Sequence, residues 1–138
     1  MAMNICADLI RKNGQKNYYK RLNGTMPQTK TSEDTQLFIS MVAKKQGWKL
    51  NPDKEFISIL VEGLTVNYNR YGYYSCPCRD ASGTRSRDRD IICPCAYCKP
   101  DQEEYGHCYC GLYLTKKFFA SGKKPSSIPE RRPEDLDS

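Results

Sequence analysis

Seven cysteines fall between Cys76 and Cys110, a window of thirty-five residues in a chain of 138. Six of them form Cys-x-Cys pairs at 76/78, 93/95 and 108/110, and Cys98 makes a CxxC with Cys95. Nothing else limits the fold as strongly. Thiols gathered this way cross-link, hold metal or exchange electrons, and each outcome ties separate loops to one place. A disulfide inside a Cys-x-Cys pair would be a small strained ring, so each cysteine is expected to bond outside its own pair. Pro77 and Pro94 fix their own backbone angle and push the preceding cysteine toward an extended conformation, which holds both CPC loops open.

The rest of the chain narrows these choices. Its length suits one domain with a modest core, and 38% hydrophobic with 28% charged residues is ordinary for a globular protein. The opening MAMNICADLIRKNG is broken by Asp8 and Arg11, so neither a secretory segment nor a membrane span is expected. A cytoplasmic location follows, where thiols stay reduced and a cysteine cluster points to metal or redox chemistry rather than stapling. The net charge of +6 suits an acidic partner. Basic residues are mixed with acids, as in RSRDRD, so a solvated mixed surface is the better reading and no nucleic-acid or membrane partner is expected.

Two helices should lead into the cysteines. Ser32 is a natural N-cap followed by Glu33 and Asp34; Leu37, Phe38, Met41 and Val42 make one apolar face, and Gly47 follows Lys44 and Lys45. A second helix is expected from Asn51 as N-cap with Pro52 at its first position, carrying Ile57, Leu60, Val61, Leu64, Tyr68 and Tyr71 at helical spacing, and closed by Gly72. The two should pack antiparallel. Beyond them, a helical turn is expected near Ser86 and another in DQEEYGH, with GLYLTKKFF as a short strand or extended segment. Residues 1–30, with a weak helical signal at Ile5, Leu9 and Ile10, read as an N-terminal extension, 31–120 as the folded domain, and 121–138 as a flexible tail rich in Pro, Ser and charge.

The cysteine spacing is unusual for structural zinc, which prefers CxxC or wider pairs around one ion. An iron–sulfur cluster takes four thiolates at the corners of a cube and tolerates irregular loop spacing. Six paired cysteines exceed those four by two. Four ligands beside one redox-active dithiol would account for all three pairs.

The order CPC, CPC, Cys-x-Cys, written here as Cys76-Pro77-Cys78, Cys93-Pro94-Cys95 and Cys108-Tyr109-Cys110, resembles the catalytic subunit of ferredoxin:thioredoxin reductase, over roughly residues 33–119. The resemblance implies a mainly α, small compact domain wrapped around a 4Fe-4S cluster held by Cys76, Cys93, Cys95 and Cys108. It implies that Cys78 and Cys110 form the active disulfide. It also implies a ferredoxin as electron donor and a thioredoxin or thioredoxin-like protein as substrate, reduced in two one-electron steps. The first spacer is shorter here and the second longer than in the plant-type pattern, so a divergent prokaryotic member is expected and the plant enzyme's second, variable subunit is not assumed.

The family's histidine between the last two cysteines is Tyr109 here, while the chain's one histidine is His107. Either side chain is a candidate for handling protons at the site, His107 because imidazole titrates near neutral pH. Cys98 reads as a packed cysteine, Cys6 as an N-terminal thiol, and Arg79 either as a stabiliser of the Cys78 thiolate or as a surface charge. Two other classes stay open on the residues alone: a zinc-stabilised binding module, and an iron–sulfur protein that only carries electrons.

Overall fold

The computed structural model describes residues 29–134. The expected N-terminal extension, Cys6 included, lies outside these residues except for its last two positions.

Helix α1, Ser32–Gln46, begins one residue earlier than its sequence suggests. Thr31 is the cap: its hydroxyl accepts the Asp34 N–H at 3.2 Å while Asp34 accepts the Thr31 N–H at 2.9 Å. Gly47 ends the helix in the left-handed conformation, as its position predicts. The buried face matches the predicted one only in part: Val42 is buried and Phe38 packs on the core, but Leu37 and Met41 do not. Thr35, Ile39, Val42 and Ala43 are buried, whereas Leu37 is 70% and Met41 59% exposed. The helix is rolled by contacts far away in sequence. Phe38 stacks on Tyr74 at 4.4 Å, and the Thr35 hydroxyl meets Thr65 at 2.6 Å and donates to the Tyr74 hydroxyl at 3.2 Å.

Strand β1, Lys49–Leu50, precedes helix α2, Lys54–Tyr71. Asp53, not Asn51, caps α2 by accepting the Phe56 N–H at 3.1 Å. Asn51 is used otherwise: its carbonyl accepts the Asp53 N–H at 2.9 Å, and its amide donates to the Gly111 carbonyl at 2.9 Å. The residue placed at the start of the second helix therefore also fixes the loop after the last cysteine. Helix α2 buries Ile57, Leu60, Val61 and Leu64 against α1 and ends at Gly72 as expected. Each such side chain contributes about 1.5–3 kcal/mol when fully withdrawn from water.

After Gly72 the backbone pairs across the first spacer. Ser75 and Ile92 form an antiparallel bridge, with the Cys76 N–H on the Ile91 carbonyl and the Cys93 N–H on the Tyr74 carbonyl, both at 2.7 Å. The spacer is organised by one buried carboxylate. Asp88 accepts from the Ser82 N–H and hydroxyl, the Gly83 N–H and the Tyr73 hydroxyl. The helical turn here is a 3-10 turn at Arg89–Ile91, three residues later than read from Ser86.

Helix α3, Cys98–Tyr105, is longer than the single turn expected. Gly106 closes it at φ +88°, where a Cβ would lie 2.4 Å from the Phe118 ring, so backbone angle and packing both require glycine. Strand β2, Tyr113–Leu114, pairs antiparallel with β1 in the register Lys49 to Leu114 and Leu50 to Tyr113. GLYLTKKFF is thus a strand followed by a short helix α4, Lys116–Ser121, capped by Thr115. The described part of the chain is mainly helical with this small two-stranded sheet.

The segment after α4 is not the loose tail its composition suggests. Ile128 and Arg132 are buried, and Glu130, Arg131 and Arg132 make ion pairs with Arg79, Asp101 and Asp90. Residues 123–134 form a strap over the loops that carry the cysteines. Among the described residues, no helix is long and apolar enough to cross a membrane.

Candidate functional site

Three tight turns deliver the thiols. The Arg79 N–H reaches the Cys76 carbonyl at 3.2 Å, the Cys98 N–H the Cys95 carbonyl at 3.1 Å, and the Gly111 N–H the Cys108 carbonyl at 2.9 Å. The bridge between Ser75 and Ile92 sets the first two turns side by side. The β1–β2 pairing and Asn51 fix the third. Cys76, Cys93, Cys95, Cys98, Cys108 and Cys110 line one cavity together with Arg79, Tyr109 and Tyr113.

The sulfurs are surrounded by donors. Tyr113 gives its N–H to Cys108 Sγ at 3.3 Å and places its hydroxyl 3.5 Å from Cys93 Sγ. Arg79 Nη1 donates to Cys95 Sγ at 3.3 Å and to Cys76 Sγ at 3.7 Å. Each of the four thiols expected as cluster ligands is thus met by a hydrogen-bonding group; Cys76 and Cys108 are buried, Cys93 and Cys95 partly so. Cys110 Sγ lies 3.8 Å from Cys108 Sγ, and the Gln102 amide donates to Cys98 Sγ at 3.4 Å.

These contacts divide the thiols electrically. Hydrogen bonds received from Cys110 and Cys98 hold the Cys108 thiol well below its ordinary range. A bond from Cys110, against the opposing effect of burial, lowers Cys76 as well. Cys110, beside both, is pushed well above its ordinary value by those two sulfurs and by burial. Burial raises Cys93, and burial with the nearby Cys76 pushes Cys95 up to about 12. Arg79 stays charged: burial opposes its charge, but the Glu130 carboxylate and the Cys76 and Cys95 sulfurs outweigh that.

The donor set fits an iron–sulfur cluster. Four inward thiols come from three loops, hydrogen bonds reach every sulfur, and a buried guanidinium balances the negative charge that such a group carries. Among the described residues no three His, Cys, Asp or Glu side chains converge as a site for one metal ion. Thiols spread around a cavity suit a larger cluster better than a single zinc ion.

The two proton-handling candidates part company. Tyr109 lines the cavity and lies under the Arg79 guanidinium, 4.6 Å from ring centre to Cζ. His107 is buried but does not line it. Its Nδ1 is 2.7 Å from the Cys108 carbonyl and its Nε2 accepts the Ser126 N–H at 3.3 Å. His107 therefore joins the Cys108 loop to the strap. Cys98 is packed, as expected, and borders the cavity too.

Cys78 is half-exposed and disulfide-bonded, whereas Cys110 is buried with a free thiol. The two are therefore not joined to one another in this structure. Glu130 was missed as a site residue. Its only signal in the sequence is an acid beside two arginines in a segment that composition assigns to a tail.

Similarity to known proteins agrees with this geometry. The family model described as the ferredoxin thioredoxin reductase catalytic beta chain matches residues 25–131. The chloroplastic ferredoxin-thioredoxin reductase catalytic chain of Arabidopsis thaliana is 30% identical over 101 residues, covering 72% of this chain and 66% of the relative. That of Glycine max is 30% identical over 107 residues, covering 75% and 72%. The catalytic chain of Porphyra purpurea is 28% identical over 85 residues, covering 60% and 69%. The chain spans about two thirds of the length of these curated relatives. With its three Cys-x-Cys pairs in order along the chain and five of those six cysteines lining one cavity, the chain belongs to the ferredoxin thioredoxin reductase catalytic beta chain family.

Proposed function

We propose that this oxidoreductase family member is a disulfide reductase in which Cys76, Cys93, Cys95 and Cys108 hold a 4Fe-4S cluster and Cys78 and Cys110 exchange with the substrate disulfide. The observation that carries the reading is the convergence of those four thiols, each with a hydrogen-bond donor, on the cavity that Cys110 also borders. When bound, the cluster supplies electrons singly beside a dithiol that needs two.

Exposure assigns the two exchanging cysteines their order. Cys78, partly exposed, is the sulfur a partner protein can reach, whereas Cys110 is buried. Once two electrons from the donor have opened the disulfide that Cys78 carries in this structure, its thiolate attacks the substrate disulfide, forming a mixed disulfide and releasing one substrate thiolate. Cys110 then attacks Cys78 and releases the second. The substrate gains two electrons and two protons, the pair becomes a disulfide, and two electrons from the donor restore both thiols. The neighbouring Cys108 and Cys76 sulfurs, with burial, favour the protonated form of Cys110. Tyr109 and Arg79 form the wall of the cavity and keep water from the sulfurs.

The relatives' name gives ferredoxin as donor and thioredoxin as substrate, and we extend both classes to this chain. The charge of +6 favours an acidic donor such as a ferredoxin. Anaerobic purification tests the reading. Brown protein with about four irons, and a Cys110→Ser variant that traps thioredoxin on Cys78 as a mixed disulfide seen by mass spectrometry, would support it. Colourless zinc protein would refute the cluster. An iron protein that traps nothing would leave only electron transport.

A further inference from the structure

Arg79 is bound on both edges of its guanidinium. Nε and Nη2 grip the Glu130 carboxylate in a fork, both at 2.7 Å, and Nη1 is turned the other way, toward Cys95 Sγ and Cys76 Sγ. The faces are covered as well, by Tyr109 at 4.6 Å and Tyr97 at 5.1 Å. The arginine side chain is 2% exposed and that of Glu130 29%. An ion pair that served only to fasten the strap would not need a buried arginine whose remaining edge points at two sulfurs.

We propose that Arg79 and Glu130 form a two-residue device that sets the reduction potential of the cluster, with the strap determining how much of the arginine's charge the sulfurs feel. The inference rests on the assignment of Cys76 and Cys95 as ligands. Hydrogen bonds to ligand sulfur and nearby net charge are among the levers that set the potential of such a centre. Arg79 stabilises the form carrying the extra electron, so its removal lowers the potential. Glu130 offsets the arginine from the opposite edge, so its removal raises the potential. Arg79 acts here as a positioning and tuning group and forms no bond to substrate.

The test is a redox titration of the purified, iron-loaded protein, followed by its visible or paramagnetic signal, for the wild type, Arg79→Gln, Arg79→Lys and Glu130→Gln. Arg79→Gln should shift the ratio of reduced to oxidised centre at fixed potential about tenfold toward the oxidised form, about 59 mV for a one-electron couple. Arg79→Lys, which keeps the charge but lacks the fork, should fall between that variant and the wild type. Glu130→Gln should move the other way. Its strap keeps the ion pairs of Arg131 with Asp101 and of Arg132 with Asp90, so this variant remains informative if Arg79→Gln does not fold. Unchanged potentials, or shifts of the same sign in Arg79→Gln and Glu130→Gln, would overturn the proposal while the wild type still held its iron. A wild type without iron would instead overturn the ligand assignment beneath it.

Discussion

Replacing Asp88 by asparagine should destabilise the protein by about 2–4 kcal/mol at neutral pH. Asp88 is fully buried, and its two oxygens take four donors: the Ser82 N–H at 2.9 Å, the Ser82 hydroxyl at 2.8 Å, the Gly83 N–H at 3.1 Å and the Tyr73 hydroxyl at 2.5 Å. Asparagine keeps one oxygen, so two bonds survive without the charge that roughly doubles their strength. Its amide then faces the Tyr73 and Gly83 donors, one of which can rotate and one of which cannot. At this chain length the loss corresponds to a fall in melting temperature of roughly 8–16 °C, at about 4 °C per kcal/mol. Thermal unfolding followed by near-ultraviolet circular dichroism, with iron content matched, reads the effect. Burial opposes the Asp88 charge, but the Tyr73 and Ser82 bonds prevail and its folded pKa is lowered. Its contribution is thus complete above the unfolded value of about 3.9 and is lost as pH falls through the lower folded value. The gap between wild type and variant should be flat near neutrality and close in strong acid. A cost under about 0.5 kcal/mol, the level of an ordinary surface change, or a gap that widens on acidification, would show that Asp88 does not organise the spacer.

Other outcomes follow from the packing. Ile39→Ala should cost about 2–4 kcal/mol and Leu37→Ala under about 0.5, measured by denaturant unfolding, because Ile39 is 0% and Leu37 70% exposed. Gly106→Ala should cost about 2–4 kcal/mol in thermal unfolding, since it combines a left-handed backbone with a Cβ 2.4 Å from Phe118. Cys98→Ala should retain iron in the purified protein and Cys95→Ala should lose it; the reverse pattern would move the ligand assignment by three residues. That pair separates a cavity-lining thiol from a ligand.

The sequence reading succeeded where local chemistry decides. Gly47 and Gly72 end their helices, Ile57, Leu60, Val61 and Leu64 form the buried face of α2, and five of the six cysteines in Cys-x-Cys pairs line one cavity. It failed where a distant partner decides. Helix α1 was misread by a rotation about its axis because Phe38 and Thr35 are held by Tyr74, which single-helix periodicity does not include. Asn51 looked like a cap because its tie to Gly111 spans sixty residues. Arg79 was weighed for the Cys78 thiolate beside it, yet its donors go to Cys76 and Cys95 and to Glu130, fifty-one residues later. The strap was misread because Pro, Ser and charge describe a segment with no core of its own, and this one is anchored by ion pairs to other loops.

The order of the chain gives the strap a consequence in time. All seven described cysteines emerge from the ribosome before the segment that covers them. At about 5–20 residues per second, the twenty residues from Cys110 to Glu130 take roughly one to four seconds to make. For that interval Arg79 has no carboxylate to grip and its whole fork is open to the sulfurs or to water. Loading of the site and its closure are thereby separate events, and a chain ended after Ser121 should take up iron readily yet surrender it to a chelator faster than the full-length protein.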